Sequence, residues 1–215
     1  MKVLVIGGGV VGAASAYFLG RSGAEVTVIE RGRKAGDETS FGLAGLLSPS
    51  DANAWASPTA LKMAAQSIFR KNSGIQYKLR FDPALWRWSL SFLAQCHPAA
   101  VIRNTTNKYR LAEYSMAMLK QVEEETGIDF DATSNGIFFP CRDEETLKGS
   151  AEFCGLLTGL GLNIEPVDEA RAVELVPAFR NRSRPLAGGM YSRNCRTGNA
   201  SKFAQNLLDW CVQHQ

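Results

Sequence analysis

The residues best suited to chemistry in this sequence are the string Gly7-Gly8-Gly9-Val10-Val11-Gly12 and the acid Glu30, which closes the next apolar run. A glycine string of this spacing suits a diphosphate. Gly7 permits a tight turn, Gly9 removes the Cβ that would hold a pyrophosphate off the backbone, and Gly12 lets a helix sit close to a strand. The N-terminus of that helix offers free N–H donors and a partial positive charge. Glu30 can accept hydrogen bonds from both hydroxyls of an adenosine ribose, which argues against a 2′-phosphate. The string by itself leaves FAD and NAD both open.

These residues need a βαβ unit to hold them. Lys2 to Ile6 is a short β-branched run that reads as a strand buried on both faces, and the glycine turn follows it directly. From Val10 to Ser22 the small residues Ala13, Ala14 and Ala16 suit a helix packed closely on a sheet, with Gly23 near its end. Glu25 to Glu30 is the second strand, and parallel pairing with the first requires a right-handed crossover.

Composition narrows the function class. The 215 residues are 45% hydrophobic and 21% charged, enough for a sizeable core. The net charge of +3 is spread along the chain with no block of like sign, so nucleic acid is not an expected partner. Five widely spaced cysteines form no Cys-x-x-Cys pair and read as reduced thiols, which places the chain in the cytoplasm. With His97 and His214 as its only histidines it lacks the material for a histidine-rich metal centre, so no metal is expected. Lys2 and the apolar stretch after it resemble a secretory leader, but Gly7, Gly8, Gly9 and Gly12 interrupt the run. No apolar run is long enough for a membrane-spanning helix.

Residues 31 to 58 carry too many glycines, serines and prolines for one regular element and read as a long ligand-contacting loop. Helices are expected over Leu61 to Arg70, Pro83 to Ala94 and Lys108 to Glu125, the last stopped by Gly127. A strand is expected over Gly136 to Pro140 and another over residues 186 to 192. Asp143 and Asp168 cap two further helices, and Asn199 to Val212 is a final amphipathic helix. In a doubly wound fold such a helix covers a sheet, so a further strand is expected beyond Gln215.

Several strings together carry a resemblance. The opening, Glu38-Thr39-Ser40 with Ala44-Gly45 and Leu47-Ser48-Pro49, the Trp86-x-Trp88 helix, Arg110-Leu111-Ala112-Glu113-Tyr114-Ser115, and Thr197-Gly198-Asn199 are similar to the FAD-dependent D-amino-acid dehydrogenases of the small-subunit type. That family lies within the D-amino-acid oxidase, glycine oxidase and sarcosine oxidase group. The resemblance implies an α/β fold: a Rossmann-like FAD-binding segment over residues 1–58, an α+β substrate-type segment over 59–195, and a return helix of the FAD domain over 196–215. It implies FAD held along Val3, Ile6 and the string Gly7, Gly8, Gly9, Val10, Val11 and Gly12. Glu30 and Arg31 would flank the adenosine, and Thr39, Ser40, Ala44, Gly45 and Leu46 would run along the pyrophosphate and isoalloxazine. Leu43 departs from the pattern, where the family usually has Asn before the Ala-Gly pair.

The implied activity is oxidative deamination: hydride leaves the amino-acid α-carbon for flavin N5, and water hydrolyses the imine to a 2-oxo acid and ammonia. The resemblance also implies flavin-side contacts and a substrate-carboxylate arginine beyond Gln215, so the chain reads as the N-terminal half of a longer enzyme and an inactive piece alone. No catalytic residue is assigned, and Arg80, Arg87, Arg103 and Arg110 read as solvated charges. A glycine or sarcosine oxidase and a non-catalytic dinucleotide-binding module, held against its missing half or a second chain, remain open alternatives. The Trp86-Arg87-Trp88 helix is a candidate contact with the inner face of the plasma membrane, which would suit a quinone-linked electron acceptor.

Overall fold

Lys2–Ile6 (β1) and Glu25–Ile29 (β2) pair in parallel, with Lys2 opposite Glu25 and Ile6 opposite Ile29. In this computed structural model, which describes residues 1–69 and 80–214, Val10–Arg21 (α1) makes the crossover between them. Ala13, Ala16 and Tyr17 are its buried residues, so small side chains bring the helix close. The two strands are not buried on both faces as expected. Their burial alternates, leaving Leu4, Ile6 and Ile29 exposed, because α1 covers one face and no described element covers the other.

The long loop after β2 contains two short elements. Leu46–Leu47 (β3) pairs antiparallel with Arg196–Thr197 (β7), and Pro49–Asp51 forms a 3-10 turn. Pro58–Phe69 (α2) and Pro83–Ala94 (α3) follow; Arg70 lies outside the described residues. Asp82 caps α3 by accepting from the N–H groups of Ala84 and Leu85. Pro98–Thr126 (α4) begins ten positions before Lys108, the expected start. Its first turns lack a clear apolar stripe, but Pro98 sits at the first helical position and His97 accepts from the Ala100 N–H. Gly127, at φ +62°, ends it.

A three-stranded sheet has the order β4-β6-β5, all antiparallel, from Ile137–Cys141 (β4), Gly188–Ser192 (β6) and Ile164–Asp168 (β5). Pro140 and Pro166 lie in the two outer strands, where a missing N–H breaks no inner ladder. Glu144–Gly159 (α5) and Glu169–Leu175 (α6) pack beside this sheet. Ala200–His214 (α7) packs along α1, helix on helix, rather than over a sheet face.

Two apolar clusters result. One joins Tyr109 of α4 to Leu157, Leu162, Ile164 and Met190; the other joins Val122 of α4 to Ala13, Tyr17, Ala204 and Leu207. At the second, the Tyr17 hydroxyl donates to Glu125, which also pairs with Arg21 at 3.1 Å. Burial, with help from the Glu125 carboxylate, pushes the phenol up to about 12.

Besides Glu30, three carboxylates among the described residues sit below their ordinary values: Glu125 through the Tyr17 hydroxyl, Asp129 through Lys202, and Asp143 through the Thr146 N–H. A depressed folded-state value stabilises above the unfolded one and is lost as pH falls through the folded one. The melting temperature is therefore expected to hold from neutral pH down towards the ordinary values of 4.5 and 3.8, then to fall steadily below them. A series of thermal melts across that range checks it, and a decline already complete above 4.5 would contradict it.

Candidate functional site: a glycine turn, a carboxylate and two adjoining cavities

The turn between β1 and α1 is tight. Gly7 takes φ +99°, and its N–H donates to the Ile29 carbonyl at 2.7 Å, which extends the β1–β2 ladder into the turn. The first turn of α1 lies directly over the Gly7 carbonyl: a Cβ on Gly12 would sit 1.9 Å from that oxygen. At Gly9 a Cβ would sit 3.0 Å from Ser40 Oγ. Ser40 is buried and accepts from the Val10 N–H at 3.1 Å. The N–H groups of Val11 and Gly12 also belong to the first turn, where a helix has no carbonyl of its own to offer them. With the helix dipole, this end favours an anion.

Glu30 faces the same turn. Its carboxylate accepts from the Gly8 N–H at 2.6 Å and the Gly32 N–H at 2.7 Å. Those amides, Gly32 first and Gly8 second, hold it below the ordinary carboxylate value. It is thus an ionised acceptor with lone pairs left for hydroxyl donors. Arg31 pairs with Glu38 beside it.

Two cavities meet here. One, of about 400 Å³, is lined by Ile6, Gly7, Gly9, Glu30, Arg31 and Thr39 among others. The second, also about 400 Å³, lies between the loop Phe41 to Gly45 and the turn from β7 into α7, with Asp131, Thr197, Gly198 and Asn199 on its far side. Ser40 lines both, so they adjoin at the residue that caps α1.

The sequence-derived residues therefore divide. Ile6, Gly7, Gly9, Glu30, Arg31, Thr39 and Ser40 line the first cavity, and Ser40, Ala44 and Gly45 the second. Gly8, Val10 and Gly12 act through backbone around them. Val3, Val11 and Leu46 line neither; Val11 is 77% exposed on the outer side of α1. None of Arg80, Arg87, Arg103 and Arg110 lines either cavity. Leu43 gives the second cavity an apolar wall.

The sequence reading placed Gly36 and Glu38 in the ligand-contacting loop without assigning either as a contact, and it passed over Asp131. Gly36 sits at φ +72°, where an added Cβ would lie 3.0 Å from the Ser201 backbone, a close approach that glycine permits. Asp131, at φ +56°, lies in no pattern that marks it.

The donors fit the ADP part of a dinucleotide: first-turn amides for the pyrophosphate, a glycine surface for close approach, and an ionised carboxylate for ribose hydroxyls. Glu30→Gln is expected to weaken ADP binding about tenfold, since a charge-assisted acceptor becomes neutral and one of its two amide partners loses an oxygen. Calorimetry with ADP checks this, and an unchanged dissociation constant would place the ribose elsewhere.

Comparisons with known proteins agree in direction. The family described as DAO, FAD dependent oxidoreductase, matches residues 2–215. The chain is 42% identical over 213 residues to D-amino acid dehydrogenase 2 of Mesorhizobium japonicum, covering 99% of this chain and 51% of that protein. It is 38% identical over 208 residues to D-amino acid dehydrogenase of Paramagnetospirillum magneticum, covering 96% and 49%. The chain thus spans about half the length of these curated relatives. Among solved structures, glycine oxidase from Geobacillus kaustophilus aligns with a TM-score of 0.59 at 22% identity, covering 98% of this chain and 44% of that one. L-amino acid deaminase from Proteus vulgaris, without its specific insertion, aligns with a TM-score of 0.60 at 14% identity over 98% and 42%. These structural likenesses establish the α/β fold.

Proposed function

Because this chain belongs to the FAD dependent oxidoreductase family, DAO, we propose that it forms the nucleotide-binding side of an enzyme that oxidises D-amino acids to 2-oxo acids and ammonia. The observation that carries the reading is the pair of cavities adjoining at Ser40, the first framed by the amide end of α1 and the Glu30 carboxylate. ADP fits the first, and the second lies where a dinucleotide entering along Ser40 would continue. When bound, FAD supplies the hydride acceptor. The chain's own residues do the holding: Glu30 takes the ribose hydroxyls, the Val11 and Gly12 amides face the pyrophosphate, and the loop from Thr39 through Gly45 lies along the rest. The substrate loses its α-hydrogen as hydride and an N–H proton, and water converts the imine to 2-oxo acid and ammonia.

The names of the 42% and 38% identical relatives support D-amino acids over glycine or sarcosine as substrate class. Contact between α1 and α7 supports grouping residues 1–58 and 196–215 on the nucleotide side, with 59–195 as the substrate side. Peripheral attachment to an anionic membrane is supported by α3, which buries none of its residues, exposes Trp86 and Trp88, and carries Arg87 without an acid. Among the described residues no helix is long and apolar enough to cross a bilayer.

Titration with FAD, followed by an absorption spectrum, tests the cofactor. Saturable binding with a flavin band shifted from that of free FAD is expected, and its absence would remove the reading. Bleaching of that band by D-alanine but not glycine, in a protein of the relatives' full length, tests the substrate class.

A further inference from the structure

Four small polar side chains meet in a cluster that the reading above leaves unused. Ser48 and Ser50 follow β3, with their hydroxyls 2.5 Å apart. Cys195, fully buried just before β7, places Sγ 3.3 Å from Ser48 Oγ and 3.4 Å from Ser50 Oγ. Ser192 Oγ, at the end of β6, lies 3.0 Å from the same sulfur. A single thiol therefore bridges the end of the long loop to the three-stranded sheet.

The segment from Ser40 to Leu47 is a strap held at two places. At one end Ser40 is fixed by the Val10 N–H of α1. At the other, Gly198 donates to the Gly45 carbonyl at 2.8 Å, β3 pairs with β7, and the cysteine cluster lies immediately beyond. Between these fixings Phe41, Leu43 and Ala44 are exposed and line the second cavity. We propose that Cys195 is a positioning residue that holds this strap against the second cavity through Ser48 and Ser50, and so sets affinity for the flavin half of FAD but not for its ADP half. The proposal rests on the FAD reading above.

Sulfur suits the role because its hydrogen bonds are long. One atom reaches three hydroxyls at 3.0 to 3.4 Å. A serine oxygen bonds best at about 2.8 Å and is too short to serve all three at once. Valine fills much of the space with no polar atom and leaves Ser48 and Ser50 only each other.

The test compares FAD and ADP affinities in the parent, Cys195→Val and Cys195→Ser. In Cys195→Val, FAD affinity is expected to fall about tenfold, the loss of one to two buried hydrogen bonds, with ADP affinity unchanged. Cys195→Ser should fall in between. Amide hydrogen exchange without ligand is the second measurement, and residues 39–47 should exchange faster in Cys195→Val while α1 keeps the parent's protection. FAD and ADP affinities falling together would overturn the proposal, as would an unchanged ratio or unchanged exchange in 39–47. Should Cys195→Val fail to fold, Ser50→Ala is read by the same two measurements. If the parent binds neither ligand, the FAD reading fails, and the exchange experiment alone decides whether Cys195 holds the strap.

Discussion

Gly12→Ala is expected to abolish detectable binding of ADP and FAD and to destabilise the protein by more than the roughly 1–3 kcal/mol of an ordinary overpacked site. The added carbon would lie 1.9 Å from the Gly7 carbonyl oxygen and 3.0 Å from its carbon, both backbone atoms with no rotamer to escape into. Either α1 lifts or the β1 turn opens. Lifting α1 withdraws the Val11 and Gly12 amides from the site and pulls Ala13 and Tyr17 out of their cluster. Gly9→Ala is the contrasting case, because its carbon meets only the Ser40 hydroxyl at 3.0 Å, which can turn aside by giving up the Val10 N–H. Calorimetry with ADP and urea unfolding of both variants distinguish the two. Parent-like ADP affinity in Gly12→Ala would mean that the helix N-terminus is not the anion site.

Leu207→Ala should cost about 2–5 kcal/mol, the range for a large apolar side chain removed from a core that cannot collapse around the gap. Leu207 is fully buried on α7 among Ala13, Tyr17, Val122 and Ala204. The alanines already present have no bulk with which to fill the space. Val212, on the same helix but 87% exposed, is the control, and Val212→Ala should lie within about 0.5 kcal/mol of the parent. Urea midpoints measure both, and a loss below about 1 kcal/mol for Leu207→Ala would mean that α7 is not a structural partner of α1.

Local chemistry made much of this legible. Gly7 to Gly12 and Glu30 announce their strand, turn and helix because each backbone demand there has one residue type that meets it. Asp143 and Asp168 mark helix starts for the same reason, and both accept from the amide three residues on. β5 was not legible, since Pro166 argues against a strand unless the strand is known to lie at an edge, which only the partner β6 decides. The second cavity was hidden differently. Asp131 and Asn199 are far apart in sequence and are brought together by Asn199 N–H donating to the Phe130 carbonyl and by Lys202 reaching Asp129 and Asp131. The expected burial of β1 and β2 failed because an apolar run records what a strand can tolerate on each face, not what covers it.

α4 takes part in both apolar clusters, through Tyr109 near its middle and Val122 near its end. Its 29 residues form one uninterrupted helix, with no glycine between Pro98 and Thr126 at which the two parts could separate. Melting either cluster frees part of the same rod and weakens the grip on the other. The two halves of the molecule are therefore bound to a common fate in denaturant: fluorescence of a variant in which Trp55, Trp86 and Trp88 are replaced by Phe, leaving Trp210 beside Tyr17, and circular dichroism from all the helices should trace one superimposable curve rather than two steps.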